Sequence, residues 1–137
     1  MRTRPQFFFN RDWLVGLMVV VIFTATFARA SASVTLSSFT AKSDAAKITI
    51  KWVTASEINN AGFFVLRSES ANGAYTALNA SIIPGCGGCI AGATYSHEDK
   101  TAASGKTYYY KLESRDTGGG KQYSDVVPAA ITAPTAA

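Results

Sequence analysis

Apolar and polar residues alternate along most of this chain in short stretches that follow one continuous apolar run near the start. From Lys47 to Thr54 the alternation is strict, with Ile48, Ile50 and Trp52 on one face and Lys47, Thr49 and Lys51 on the other. Successive strand side chains point to opposite faces, so this pattern predicts a half-buried strand. Phe63-Phe64-Val65-Leu66 is apolar on both faces and suits a strand covered on both sides or nearly so. Tyr75 to Leu78, Thr94 to Glu98, Thr107 to Leu112 and Gln122 to Val127 extend the set, with Tyr108, Tyr110 and Leu112 sharing a face. Turn residues separate these stretches: Asn59-Asn60-Ala61-Gly62, Asn72-Gly73, the loop from Pro84 to Cys89, and Gly118-Gly119-Gly120. About seven short strands in roughly 100 residues, with no sustained helical period outside the opening run, predict an all-β sandwich. Pro128 and Pro134 fall in an Ala/Thr/Pro-rich stretch that reads as a frayed tail.

The opening run has a different logic. Trp13 to Phe27 carries no charge, basic residues precede it, and Ala28-Arg29-Ala30 follows with small residues at alternate positions. Basic, apolar and small-residue parts in that order make a secretory signal peptide, with cleavage expected after Ala30 or after Ala32. An uncleaved signal anchor is the alternative. Fifteen helical residues reach only about 22 Å, short of the roughly 30 Å hydrocarbon core, whereas a helix extended to Ala32 closes the gap and carries Arg29. Either way, positive charge before the run keeps the N-terminus inside and places the body outside. The expected organisation is residues 1–32 as signal peptide or anchor helix, 33–131 as the sandwich, and 132–137 as a flexible tail.

Net charge changes meaning once it is located. The chain of 137 residues carries +4, but Arg2, Arg4, Arg11 and Arg29 against Asp12 place +3 of it in the leader. From Ser31 onward nine Lys/Arg stand against eight Asp/Glu. A body this close to neutral has no electrostatic footprint for phosphate backbones, so no nucleic-acid partner is expected. The two cysteines, Cys86 and Cys89, are spaced C-G-G-C, and an oxidising compartment would pair them. A redox motif needs a βαβ setting, c-type haem needs His where Ile90 stands, and zinc would need His97 and a fourth donor. A structural disulfide is expected, and its tiny ring contributes only about 2 kcal/mol by chain entropy.

Three segments carry a family resemblance. Ile48-x-Ile50-x-Trp52 resembles the second strand of fibronectin type III domains, where the Trp is a core residue. Thr54-Ala55-Ser56-Glu57-Ile58-Asn59-Asn60-Ala61-Gly62-Phe63, continuing to Ser68, closely resembles a run of the variant found in bacterial surface and secreted proteins. Ser104-Gly105-Lys106-Thr107-Tyr108-Tyr109-Tyr110-Lys111-Leu112 resembles the entry into the sixth strand, with Tyr108 at the tyrosine corner. The resemblance runs from about Val34 to Ile131. It implies a seven-stranded, immunoglobulin-like sandwich after the N-terminal hydrophobic helix, with Ile48, Ile50, Trp52, Phe63, Val65, Tyr108, Tyr110 and Leu112 in the core. Ser104 stands where the family usually has proline, and the CGGC loop is an insertion. The implied role is a spacer, adhesion or protein-binding module without catalysis or cofactor.

Other constellations read as structural. Ser96 and His97 are neighbours on a strand and point to opposite faces, so they cannot pair as nucleophile and base, and His97 is expected at an exposed strand end. Glu57, Asn59 and Asn60 are oxygen donors on a loop, but a single charge without the D-x-D-x-D pattern suits turn capping better than calcium. Of the Tyr108-Tyr109-Tyr110 run, only Tyr109 is expected to face outward. Asn79-Ala80-Ser81 fits a glycosylation sequon. Expected partners are therefore extracellular or membrane proteins or surface polymers, and membrane contact is expected only through residues 13–32 if the leader stays.

Overall fold

The structure is a computed structural model and describes residues 33–132. The leader with its expected helix, and the tail beyond Thr132, lie outside the described residues. Nine strands follow in order: β1 (Ser33–Ser43), β2 (Ile48–Ile58), β3 (Asn60–Ser68), β4 (Thr76–Ala77), β5 (Ile83–Pro84), β6 (Thr94–Asp99), β7 (Thr107–Asp116), β8 (Lys121–Tyr123) and β9 (Val127–Ala130). They form two antiparallel sheets, β1-β2-β6 and β4-β3-β7-β8, with β5 also pairing β3 and β9 also pairing β7. Among the described residues no helix is long and apolar enough to cross a membrane.

The count of nine replaces the expected seven for local reasons. The stretch from Gln122 to Val127 is broken where the Ser124 hydroxyl accepts the Leu112 N–H, 2.9 Å, and Ser124 N–H returns a bond to Leu112 carbonyl. This leaves β8 and β9 as separate partners of β7. Pro84, expected in the loop, and Ile83 before it pair with Gly62 and Phe63 as β5. Pro128 belongs to β9 opposite Tyr109 rather than to a frayed tail. An edge strand tolerates its missing N–H. The turn expected over residues 59–62 contracts to Asn59 alone, at φ 53°, because β3 already begins at Asn60.

The core lies between the sheets. Ile48, Ile50, Trp52, Phe63, Val65, Tyr108, Tyr110 and Leu112 are all 3% exposed or less, joined by Val34 and Ile131. Trp52 stacks on Tyr95 at 5.3 Å between centroids and meets Phe63 edge-on at 5.5 Å. Its indole N–H is buried without a hydrogen-bond partner among the described residues. One irregularity positions the site described next. The β1–β2 register shifts between Thr35↔Ser56 and Leu36↔Thr54, so Ala55 is an extra residue in β2. Strict alternation from Ile48 would bury Ile58 and expose Glu57. The bulge reverses both, because an inserted residue turns the side chains beyond it to the other face.

Candidate functional site

Beyond that bulge Glu57 is fully buried, and neutral donors fill its carboxylate. Oε1 accepts from the Tyr95 hydroxyl at 2.7 Å and from the Thr54 hydroxyl at 2.9 Å. Oε2 accepts from Asn60 Nδ2 at 2.8 Å and from the backbone N–H of Cys86 at 3.1 Å. Burial pushes the carboxyl upward, but the bonds from Asn60, Tyr95, Cys86 and Thr54 outweigh it and hold Glu57 below the usual carboxylate range. The Tyr95 phenol moves the other way, to about 12, because burial and its bond to Glu57 both favour the protonated form. Asn60 also accepts the Gly62 N–H, 3.2 Å, and the Asn59 carbonyl accepts from Thr117 N–H.

Cys86 and Cys89 form a disulfide, and the loop they close is tied to this acid at two points. Cys86 N–H donates to the Glu57 carboxylate, and Glu57 N–H donates to the Cys89 carbonyl at 3.0 Å. Ligand atoms of Glu57, Cys86 and Cys89 lie within 4.8 Å of one another. Joined sulfurs are not thiolates, and both carboxylate oxygens are already engaged, so this cluster binds the loop to the sandwich. Gly92, at φ 76°, lets the loop pass so close to the Thr54 carbonyl that a Cβ would collide with it.

A second buried acid closes the other end of the sandwich. Asp99 is 2% exposed and receives Arg67 Nη1, the Tyr110 hydroxyl and the Thr101 hydroxyl, each at 2.8 Å. Burial raises its carboxyl, and the bonds from Tyr110, Arg67 and Thr101 bring it below the ordinary value. Arg67 also lies over the Tyr108 ring at 4.6 Å.

His97 departs from the exposed end expected for it. It sits opposite Ile50 on the inner side of β6 and is half-buried, because Tyr95, His97 and Asp99 share the parity that faces the core. Ser96 lies on the other face opposite Lys51, so the structure does not bring the two together. The Asn79 side chain is fully engaged along the β3 edge, accepting from Val65 N–H and donating to the Phe63 and Ser81 carbonyls.

No protein-family model matches the sequence, and no curated protein matches it. Among solved structures, an Fn3-like protein from Clostridium thermocellum superposes with a TM-score of 0.50 at 19% identity, covering 71% of this chain and 90% of that one. The fold is fibronectin type III-like. Within this fibronectin type III-like sandwich the Tyr108 hydroxyl accepts the Ala103 N–H at 3.1 Å, five residues upstream, and so fixes the turn into β7.

The outer face of the larger sheet holds the remaining aromatics among the described residues. Phe39, Trp52, Phe63, Tyr95, Tyr108 and Tyr110 serve the core, whereas Phe64, Tyr75, Tyr109 and Tyr123 stand outside it. Lys111 Nζ lies over the rings of Tyr75, 4.2 Å, and Tyr123, 4.8 Å. Arg115 covers Phe64 at 4.2 Å. Glu113 ties the group together by pairing with Arg115 at 2.5 Å and Lys121 at 3.7 Å. Burial raises its carboxyl, and bonds from Arg115 and Tyr123 more than reverse that. The spacing of Tyr109, Lys111, Glu113 and Arg115 at alternate positions was visible in the sequence, but Tyr123 joins them through strand pairing and Tyr75 through its contact with Lys111.

Proposed function

We propose that this chain is an exported, non-catalytic module that holds extracellular proteins or surface polymers through the outer face of its larger sheet. The observation that carries this reading is the concentration there of every described aromatic ring the core does not take, braced by Lys111 and Arg115. Tyrosine and arginine are enriched at interface centres because they offer large, rigid contact area with a polar tip. The buried acids support a non-catalytic reading, since Glu57 and Asp99 spend their oxygens on neighbouring strands and loops. Two measurements test the proposal. Intact mass of protein from its native host is expected to show loss of residues 1–30. Retention of purified protein on intact host cells is expected to fall in a Tyr109→Ser, Tyr123→Ser double variant that unfolds like the parent. Equal retention would refute the surface.

A second reading, a single-pass subunit anchored by an uncleaved leader, is favoured by one placement. Only Ala28 to Ala32 lie between the apolar run and Ser33, the first described residue of β1, so a retained leader would hold the sandwich close against a membrane. A full-length intact mass supports this reading over the first.

A further inference from the structure

The two ends of the sandwich differ in chemistry. One end carries the turns around Asp44, Glu69 and Lys106, with ion pairs Lys47–Glu98, Lys100–Glu98 and Lys106–Glu69. The other end carries the disulfide loop, and between Glu69 and Glu98 the chain has no Lys, Arg, Asp or Glu. Ile90 at the tip of that loop is 90% exposed, and Ile58, turned outward by the β2 bulge, is 50% exposed. The two lie near each other, because Glu57 N–H bonds to the Cys89 carbonyl. Ser33 pairs with Ile58 itself, so residues 1–32 join the domain at this same end. Arg115 and Lys121, paired across β7 and β8, stand at its rim, where Glu113 pairs with both, and Asp116 lies opposite Asn60 at the same end.

We propose that the stapled loop 86–91, with Ile58 beside it, is a lipid-contacting tip that seats in the interface of the bilayer from which the leader emerges. The inference rests on the second reading above, the single-pass subunit with a retained leader, and not on the reading in which residues 1–30 are lost. The occupant follows from where the chain leaves the structure: Trp13 to Phe27 is the apolar run, and only Ala28 to Ala32 separates it from the strand that carries this end. An exposed isoleucine on an uncharged loop gains from an apolar interface. The staple has a role here. Gly87 and Gly88, at φ 73° and 131°, form a turn with nothing packed where a Cβ would stand, and the Cys86–Cys89 bond together with the Glu57 tether holds it in one presented shape.

The test uses the full-length chain, isotope-labelled, in nanodiscs of phosphatidylcholine and phosphatidylglycerol doped with doxyl-labelled phosphatidylcholine. Amides of Ile58 and residues 87–91 are expected to broaden selectively, while those of Asp44–Lys47 and Gly105 stay sharp. Ile90→Asp, a change at an exposed site, is expected to abolish the loop broadening, and Cys86→Ser with Cys89→Ser to reduce it. No loop broadening, or equal broadening at both ends, overturns the proposal. Broadening that survives Ile90→Asp also overturns it, since proximity would then come from the tether alone. Loop shifts that follow protein concentration instead of doxyl lipid would assign the tip to a second copy and overturn it too. Because the leader is intact in every sample, host cleavage, read separately by intact mass, sinks the retained-leader reading without being confused with failure of the loop.

Discussion

Replacing Glu57 with Gln tests the buried acid that joins the disulfide loop to the sandwich. Four donors converge on its carboxylate, from Thr54, Asn60, Cys86 and Tyr95. A hydrogen bond to a charged group contributes about 1.5–3 kcal/mol, against about 0.5–1.5 for a neutral pair. An amide keeps one acceptor oxygen. Turned toward Asn60 and Cys86, it leaves its NH2 facing the two hydroxyls, which can rotate to accept. All four bonds then lose charge assistance, and the expected loss is about 2–4 kcal/mol. Glu57→Ala strands all four donors and is expected to cost more, a large part of the roughly 5–15 kcal/mol available to a small domain. Urea unfolding at neutral pH, followed by far-ultraviolet circular dichroism and tryptophan fluorescence, measures both. The pH dependence gives a second reading. The folded value of Glu57 lies below its unfolded value of about 4.3, so its contribution is present above that value and is lost as pH falls through the folded one. Glu57→Gln should therefore flatten the acid limb of stability, leaving the part due to Asp99 and Glu113. A variant within about 0.5 kcal/mol of the parent, with an unchanged acid limb, would refute the reasoning.

Three further outcomes follow from the packing. Trp52→Ala is expected to cost about 3–5 kcal/mol and Trp52→Phe distinctly less, because the Trp52 N–H is unpaired, as denaturant midpoints will show. Replacing both cysteines with serine should cost no more than about 2 kcal/mol and leave the strand signal of circular dichroism intact, since the ring is small and sits outside the core. Tyr110→Phe removes one of the bonds to Asp99 and should cost about 1–3 kcal/mol, with the acid limb flattening because the folded value of Asp99 rises toward its unfolded one; an unchanged limb would dissociate Tyr110 from that acid.

The strands were legible where one physical rule decided them. Period-two alternation from Ile48 to Trp52 and the shared face of Tyr108, Tyr110 and Leu112 put these side chains between the sheets, where they lie. The candidate site was not legible, because alternation fails at the residue that creates it. A bulge at Ala55 leaves no local mark, so Glu57 reads as a turn residue, and alternation continued from Trp52 points its burial to Ile58 instead. Its donors Cys86 and Tyr95 come from 29 and 38 residues away, a distance at which composition says nothing about contact. His97 was misplaced for a related reason, since its face depends on the register of β6 against Ile50. The aromatic face is intermediate: β7 announces its own half, while Tyr75 and Tyr123 arrive through pairing and cation–ring contact with Lys111.

The chain enters at Ser33, opposite Ile58, and β9 runs out at Ala130, opposite Thr107, so the two ends of the domain emerge from opposite poles. Tension applied between them would pull β1 and β9 along their own lengths. Ten paired positions join β1 to β2, and under such a pull they are loaded together, in shear, instead of opening one at a time like a zipper. A module tethered at one pole and gripped on its far side would thus meet force in the direction where its longest ladder resists most.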